Sequence, residues 1–352
     1  MNARRNRQWR VSRYPSAEEP IDEQQFEFVT TTAPEPEQGQ FLVRTICLAP
    51  GPAQRGYLDK QHADFFANVP VGDVMRGRGI GQIVESRHPE YQVGDLFVGS
   101  LGWQDYSLQH PRGAEFVFST KKILSPVYPL SIELGVLGQA GATAYFGLHE
   151  AGQIKPGDNV LVSAAAGGVG STACQIARLS GANKVVGITG SEDKCEWLRD
   201  TLHVDATINY KTDNIGECLN ELFPDGIDLF FDNVGGEILN TALEHLAMHA
   251  RIALCGYIAT DYATDPGPGP INYRYLVQKR SRMQGFIVFD YWKRFAEAEM
   301  QLRNWYSTGE LIDTNDISEG LEAMPSALNS LFTGDNRGVK ICRVSPDPAV
   351  DR

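Results

Sequence analysis

The chain has 352 residues, 42% hydrophobic and 22% charged, with 32 basic against 44 acidic side chains and a net charge of −12. Such a length exceeds one small core, so two domains are expected, and the acidic balance disfavours a nucleic-acid partner. No apolar run approaches the roughly 18 residues that span a bilayer, and the arginine-rich start Met1–Arg10 lacks the apolar stretch of a secretory signal, so it reads as a solvated tail.

From about Glu27 to Phe118 short strands alternate with Gly and Pro turns. Phe41–Cys47, Gly79–Glu85 and Asp95–Val98 are the clearest, and together they predict an antiparallel β domain. From about Leu134 the texture becomes alternating helices and strands. A helix over Gly135–Glu150 precedes the strand Val160–Val162, and further strands are expected at Lys184–Ile188, Ala206–Ile208, Ile227–Phe231, Ile252–Gly256 and Met283–Phe289. This alternation implies a parallel, doubly wound sheet whose strand tips share one ligand-binding edge. The helix Phe295–Ser307 follows, and the strand-like Gly338–Val344 suggests that the C-terminus returns to complete the first domain. Cys47, Cys174, Cys195, Cys218, Cys255 and Cys342 are scattered without a Cys-x-x-Cys pair, which argues against structural zinc and for reduced thiols in a cytoplasmic setting.

The stretch Val160–Gly181 carries the most chemistry. A buried strand passes through Ala164-x-x-Gly167-x-x-Gly170 into a helix with an apolar stripe at Cys174, Ile176, Ala177 and Leu179. Gly167 is expected to turn where a Cβ would clash and Gly170 to let the helix approach the strand, aiming unpaired N–H groups at a diphosphate. An ordinary strand–helix turn shares this pattern. The next strand ends in Thr189-Gly190-Ser191, where an NAD site would place an acid about 20 residues past the glycines, and Lys194 lies one turn into the following helix. NADPH is therefore favoured over NADH, against the alternative of Lys194 as a solvated surface lysine.

In chain order, Asn6-Arg7-Gln8-Trp9, Gly141–Leu148, Ala164–Gly170, Asn209-Tyr210-Lys211, Phe231–Gly236, Cys255-Gly256-Tyr257-Ile258, Gln284–Val288 and Gly334-Asp335-Asn336 resemble the medium-chain dehydrogenase/reductase superfamily. Within it they are similar to the zinc-independent, NADPH-dependent alkene reductases, which include prostaglandin, plant alkenal and bacterial curcumin reductases. The resemblance implies an α/β fold, with a Rossmann sheet over residues 133–299 and a GroES-like antiparallel β domain formed by residues 1–132 and 300–352.

It also implies site roles. Gly167, Gly168, Val169 and Gly170 would hold the diphosphate; Gly190, Ser191 and Lys194 the ribose phosphate; and Tyr210 the adenosine end. Asn233, Cys255, Gly256 and Tyr257 would line the nicotinamide ribose, with Thr143, Phe286, Ile287, Val288 and Asn336 bordering the ring, although core packing explains Phe286 and Val288 equally well. No metal is implied: where zinc-bearing relatives carry Gly-His-Glu this chain reads Met75–Gly81, and His62, His88 and His110 lie far apart.

The implied reaction is hydride transfer to the β carbon of an α,β-unsaturated ketone or aldehyde, then protonation at the α carbon. Quinone reduction and non-catalytic NADPH sensing are the competing readings. Gln278 stands where some relatives have a tyrosine, and Asp261 where others do, which leaves the adjacent Tyr262 as candidate proton donor or as a loop aromatic over the cofactor. Ala53, in Pro52–Gly56, replaces a tyrosine found in many relatives and makes room for a bulkier substrate. A homodimer joined edge to edge, with Met283–Phe289 as the edge, is the implied assembly, against a monomer with a capped sheet.

Overall fold

A computed structural model describes residues 4–16, 19–59, 67–110, 120–259 and 269–348. The chain divides into two compact units, Met1–Leu134 with Asn315–Asn336 and Lys340–Arg352, and Gly135–Thr314 with Arg337–Val339.

The first unit opens with β1 (Arg5–Val11), paired antiparallel to β2 (Phe26–Thr32). The arginine-rich start is therefore a strand rather than a solvated tail. Its burial rests on a partner distant in sequence: the Asn6 amide mimics a strand partner, donating to the Tyr106 carbonyl at 3.0 Å and accepting from the Tyr106 N–H at 2.9 Å. The Trp9 indole donates to the Leu321 carbonyl, and Arg7 pairs with Asp105 at 2.9 Å and Glu322 at 2.6 Å. β3 (Phe41–Ala49), β4 (Arg78–Ser86), β5 (Leu96–Ser100), β6 (Tyr106–Gln109) and β7 (Lys121–Ile123) follow, each pairing antiparallel. Trp103, Phe41, Phe97 and Met75 fill the core beneath them, each fully buried aliphatic or aromatic side chain contributing ~1.5–3 kcal/mol.

In the second unit β8 (Asn159–Val162), β9 (Lys184–Thr189), β10 (Ala206–Asn209), β11 (Ile227–Asp232), β12 (Leu246–Leu254) and β13 (Arg282–Gly285) are all parallel. They lie in the order β10-β9-β8-β11-β12-β13. Counted from β8 this is the 3-2-1-4-5-6 order of a dinucleotide-binding sheet, with the reversal of direction between β8 and β11. Strands buried on both faces need continuous apolar runs, which Val160–Val162, Val185–Ile188 and Leu229–Phe231 supply.

The longer helices of this unit are α1 (Gln139–Phe146), α2 (Gly168–Leu179), α3 (Glu192–Asp200), α4 (Ile215–Leu222), α5 (Gly236–Glu244) and α6 (Phe295–Ser307). Two expectations are corrected here. The helix expected over Gly135–Glu150 starts at Gln139, because Gly138 caps it after a turn closed by Gly138 N–H to Gly135 C=O, and it relaxes into a π-helical turn over Gly147–Ala151. The strand expected over Met283–Phe289 stops at Gly285, because β12, its one partner among the described residues, ends at Leu254, and the chain turns into a 3-10 segment, Val288–Arg294.

Back in the first unit, β14 (Asn315–Glu319), α7 (Met324–Thr333) and β15 (Val339–Arg343) close the chain. The sheet order β14-β15-β3-β4-β5-β7, with β6 also on β3, places the C-terminal strand beside the N-terminal ones as the sequence suggested.

Candidate cofactor-binding site

The site is built on the carboxyl edge of the parallel sheet. After β8 the chain reverses at Ala164, whose φ of +46° is left-handed, and enters α2 through Gly167. Gly167 itself has an ordinary φ of −82°, and a Cβ there would lie 3.2 Å from the Ala164 carbonyl, a tight contact that the backbone would have to relieve. Gly170 is the indispensable glycine: any Cβ on it would be driven into the Ala164 carbonyl. No side chain caps α2, so the first-turn amides of Gly168, Val169 and Gly170 lack intrahelical acceptors and suit an anion.

At the tip of β11 the carboxylate of Asp232, fully buried, gathers donors. Ser163 Oγ donates to it at 2.7 Å, and the amides of Val234 and Gly235 at 3.0 and 3.1 Å. Burial pushes the Asp232 carboxyl above its usual range, opposed by those hydrogen bonds. Ser163 Oγ also accepts from the Asn233 amide N–H at 2.8 Å, and Asn233 Nδ2 donates to the Ser163 carbonyl at 2.8 Å. The Asn233 side chain is thereby held with Oδ1 left as its acceptor. Gly235 at φ +71° and Gly236 at φ +56° make the left-handed turn into α5 that brings these amides back to Asp232.

The tip of β12 lies against this turn. The amides of Cys255 and Gly256 donate to the Asp232 carbonyl at 2.8 and 3.2 Å, and a Cβ on Gly256 would come 2.8 Å from the Asn233 carbonyl. Burial pushes the Cys255 thiol up to about 12, reinforced by Asp232. Tyr257 is exposed. Phe286 follows β13, its amide on the Leu254 carbonyl at 3.2 Å and its ring edge-on to Phe231 at 6.2 Å; Ile287 is half-buried and Val288 buried. Thr143 is half-buried on α1, its hydroxyl turned back to the Gln139 carbonyl at 2.8 Å.

At the other end of the edge, Tyr210 lies over Gly190, where a Cβ would be 2.9 Å from the ring. The exposed ring of Tyr210 thus packs against a position with no side chain. Ser191 caps α3 in extended conformation without spending its hydroxyl on the helix, and Lys194 is half-buried in the first turn. Glu192 and Asp193 share that turn, with Glu192 engaged by Arg199 at 3.0 Å.

The strand tips thus bring together the glycine turn, Gly190, Ser191, Lys194, Tyr210, Asn233, Cys255, Gly256, Tyr257 and Phe286. Asn336 is buried in the first unit, and Tyr262, His62 and most of the loop Asp265–Pro270 lie outside the described residues. Sequence reasoning missed Ser163 and Asp232 as the pair that holds Asn233. A buried Asp before Asn-Val-Gly-Gly was the available signal; the serine 69 residues earlier offered none. Among the described residues no three His, Cys, Asp or Glu side chains cluster as a metal site, and no helix is long and apolar enough to cross a membrane.

Residues 7–117 match the family described as the N-terminal domain of oxidoreductase, and residues 168–304 the family described as zinc-binding dehydrogenase. YfmJ of Bacillus subtilis, provisionally named an NADP-dependent oxidoreductase, is 41% identical over 331 residues, covering 92% of this chain and 94% of that protein. The NADPH-dependent curcumin reductase of Escherichia coli is 36% identical over 348 residues, covering 97% and 98%. The crystal structure of CurA from Vibrio vulnificus in complex with NADPH superposes with a TM-score of 0.89 at 33% identity, covering 97% of this chain and all of that one. With a dinucleotide-binding strand order and relatives of this identity along nearly its whole length, the chain belongs to the zinc-independent medium-chain dehydrogenase/reductase oxidoreductases, in the family of enone and enal reductases that includes the curcumin and prostaglandin reductases.

Proposed function

We propose that this protein is an NADPH-dependent reductase of the C=C bond in α,β-unsaturated ketones and aldehydes. The tip of β9 carries the cofactor half of that reading: it ends in Thr189-Gly190-Ser191 with no acid to bind a ribose diol, and Lys194 follows. Family membership carries the reaction half, since the related proteins named for their substrate reduce conjugated carbonyl compounds. When bound, NADPH supplies the hydride for the substrate's β carbon.

The chain's own residues bind and orient. The amides of Gly168, Val169 and Gly170 hold the diphosphate, Ser191 and Lys194 the ribose phosphate, and Tyr210 the adenosine face. Asn233, fixed through Ser163 and Asp232, offers Oδ1 to a ribose hydroxyl, while Cys255, Gly256, Tyr257, Thr143 and the Phe286–Val288 segment enclose the nicotinamide end. Tyr262 is the proposed proton donor to the α carbon or hydrogen-bond donor to the enolate oxygen. Ala53, exposed on a short helix, Ala53–Gly56, leaves the space where relatives have a tyrosine, favouring bulkier enones. β13, at the edge of the parallel sheet, is the proposed seam of a homodimer, which light scattering of the purified protein measures. Six free thiols fit a reducing cytoplasmic setting.

The test is NADPH oxidation on adding a conjugated enone with EDTA present, followed by product mass and the position of deuterium from labelled NADPH. Label on the former β carbon is the expected result. NADPH binding without enone turnover, or turnover of quinones alone, overturns the assignment.

A further inference from the structure

The segment Arg337–Val339 runs beside the glycine turn. Gly338 N–H donates to the Ala166 carbonyl at 2.7 Å, Gly338 forms a parallel bridge with Gly167, and a Cβ on Gly168 would meet Val339 at 3.0 Å. Arg337 itself is exposed, and its guanidinium lies over the Trp197 ring, 5.5 Å from the centroid. Trp197 and Lys194 are half-buried and three residues apart on α3, hence neighbours on one helix face, while Glu196 between them is exposed. The Arg337 backbone thus adjoins the glycine turn, and its guanidinium lies on the helix face that carries Lys194.

The charge balance there calls for a second cation. Glu192 and Asp193 occupy the same first turn as Lys194; Arg199 engages Glu192. Lys194 would otherwise face a phosphate dianion with a carboxylate as its sequence neighbour. A guanidinium stacked by its face on an indole carries several N–H donors along its edge, enough to engage more than one acceptor, a geometry that a lysine ammonium does not offer. We infer that Arg337, held on Trp197, is a specificity-determining residue that contacts the 2′-phosphate of the cofactor together with Lys194. This rests on the NADPH reading above and adds to it a residue and its platform.

Binding separates the possibilities without turnover. Dissociation constants for NADPH, NADH, adenosine 2′,5′-bisphosphate and 5′-AMP are measured by calorimetry on the unaltered protein and on Arg337→Gln and Arg337→Lys. Loss of one charge-assisted contact is expected to weaken NADPH and the bisphosphate about 5- to 10-fold in Arg337→Gln, with a shallower salt dependence, while NADH and 5′-AMP are unchanged. Arg337→Lys, which keeps charge and loses the planar stack, is expected to fall between. Equal affinity for NADPH in the unaltered and Arg337→Gln proteins overturns the inference. So does equal weakening of NADPH and NADH, which would place the guanidinium at the diphosphate or in the fold alone. If the unaltered protein does not prefer NADPH to NADH, the cofactor reading itself fails, and that result is visible before any variant is made.

Discussion

The two ends of the site edge are built differently. At the tips of β8, β11 and β12 the polar groups hold one another: the buried Asp232 accepts from Ser163, Val234 and Gly235, and Ser163 in turn fixes Asn233. At the tips of β9 and β10, Tyr210 is 47% exposed, and Ser191 and Lys194 are half-buried. One end is held by its own hydrogen bonds, so its groups would cost little to order on binding; in the proposed reading the other would work by charge and a stacking face in partial contact with water. A change at the first end should damage the fold and the site together, whereas a change at the second should alter cofactor choice and leave the fold intact.

Asp232→Ala tests the first half of that contrast most severely. It strands the Ser163 hydroxyl and two amides in a buried place, and about 3 kcal/mol of unfolding free energy is expected to be lost. Denaturant unfolding measures it; a loss under 1 kcal/mol would mean that the network is not what holds the tip. Asp232→Asn, which keeps the shape and one acceptor oxygen, should lose less.

Cys255 sharpens the same contrast chemically. Conjugated enones alkylate thiolates, and a thiol pushed up to about 12 carries roughly a thousandth of the thiolate of an ordinary cysteine at neutral pH. N-Ethylmaleimide is expected to leave Cys255 unmodified in the folded protein and to label it after denaturation, as read by peptide mass. Cys47, Cys174 and Cys342 are held equally high by burial, so the chain meets reactive substrates with its interior thiols protonated.

At the exposed end, Lys194→Gln should weaken NADPH about tenfold, or ~1.4 kcal/mol, without shifting the unfolding midpoint or the affinity for NADH. A fall in stability instead would erase the distinction between the two ends.

Much of this architecture was legible along the chain because it is local. The helix Phe295–Ser307 falls on its expected bounds, and the glycine unit, the parallel strands and the returning C-terminal strand were readable from apolar runs and glycines. What was not legible depends on partners distant in sequence. The strand Arg5–Val11 is polar by composition and is buried only because Asn6 meets Tyr106 and Trp9 meets Leu321. β13 stops where β12 stops, and no residue between Gly285 and Phe289 announces it. The lock on Asn233 joins Ser163 to Asp232 across the point where the sheet reverses direction, and Arg337 meets Trp197 across 140 residues of chain, beyond any local pattern.

The smallest expected effect concerns His149, on the π-helical turn behind the site edge. Its Nε2 is buried without a hydrogen-bond partner, and burial lowers its pKa, opposed by Glu150 and Glu297. A lowered value in the folded state means that the unfolded chain binds the proton more readily. Its contribution to stability is therefore complete above the ordinary histidine value of about 6.5 and is lost as pH falls through the lower folded one, at no more than ~1.4 kcal/mol per pH unit for one proton. His245, lowered by burial in the same direction, adds to the slope. Unfolding midpoints measured from pH 7.5 down to pH 5 should fall less steeply in His149→Gln than in the unaltered protein, while the Asp232 and Lys194 variants keep the full histidine slope. Parallel curves for His149→Gln and the unaltered protein would mean that this imidazole is hydrated, and that the chain behind the sheet edge is as open as the end that carries Tyr210.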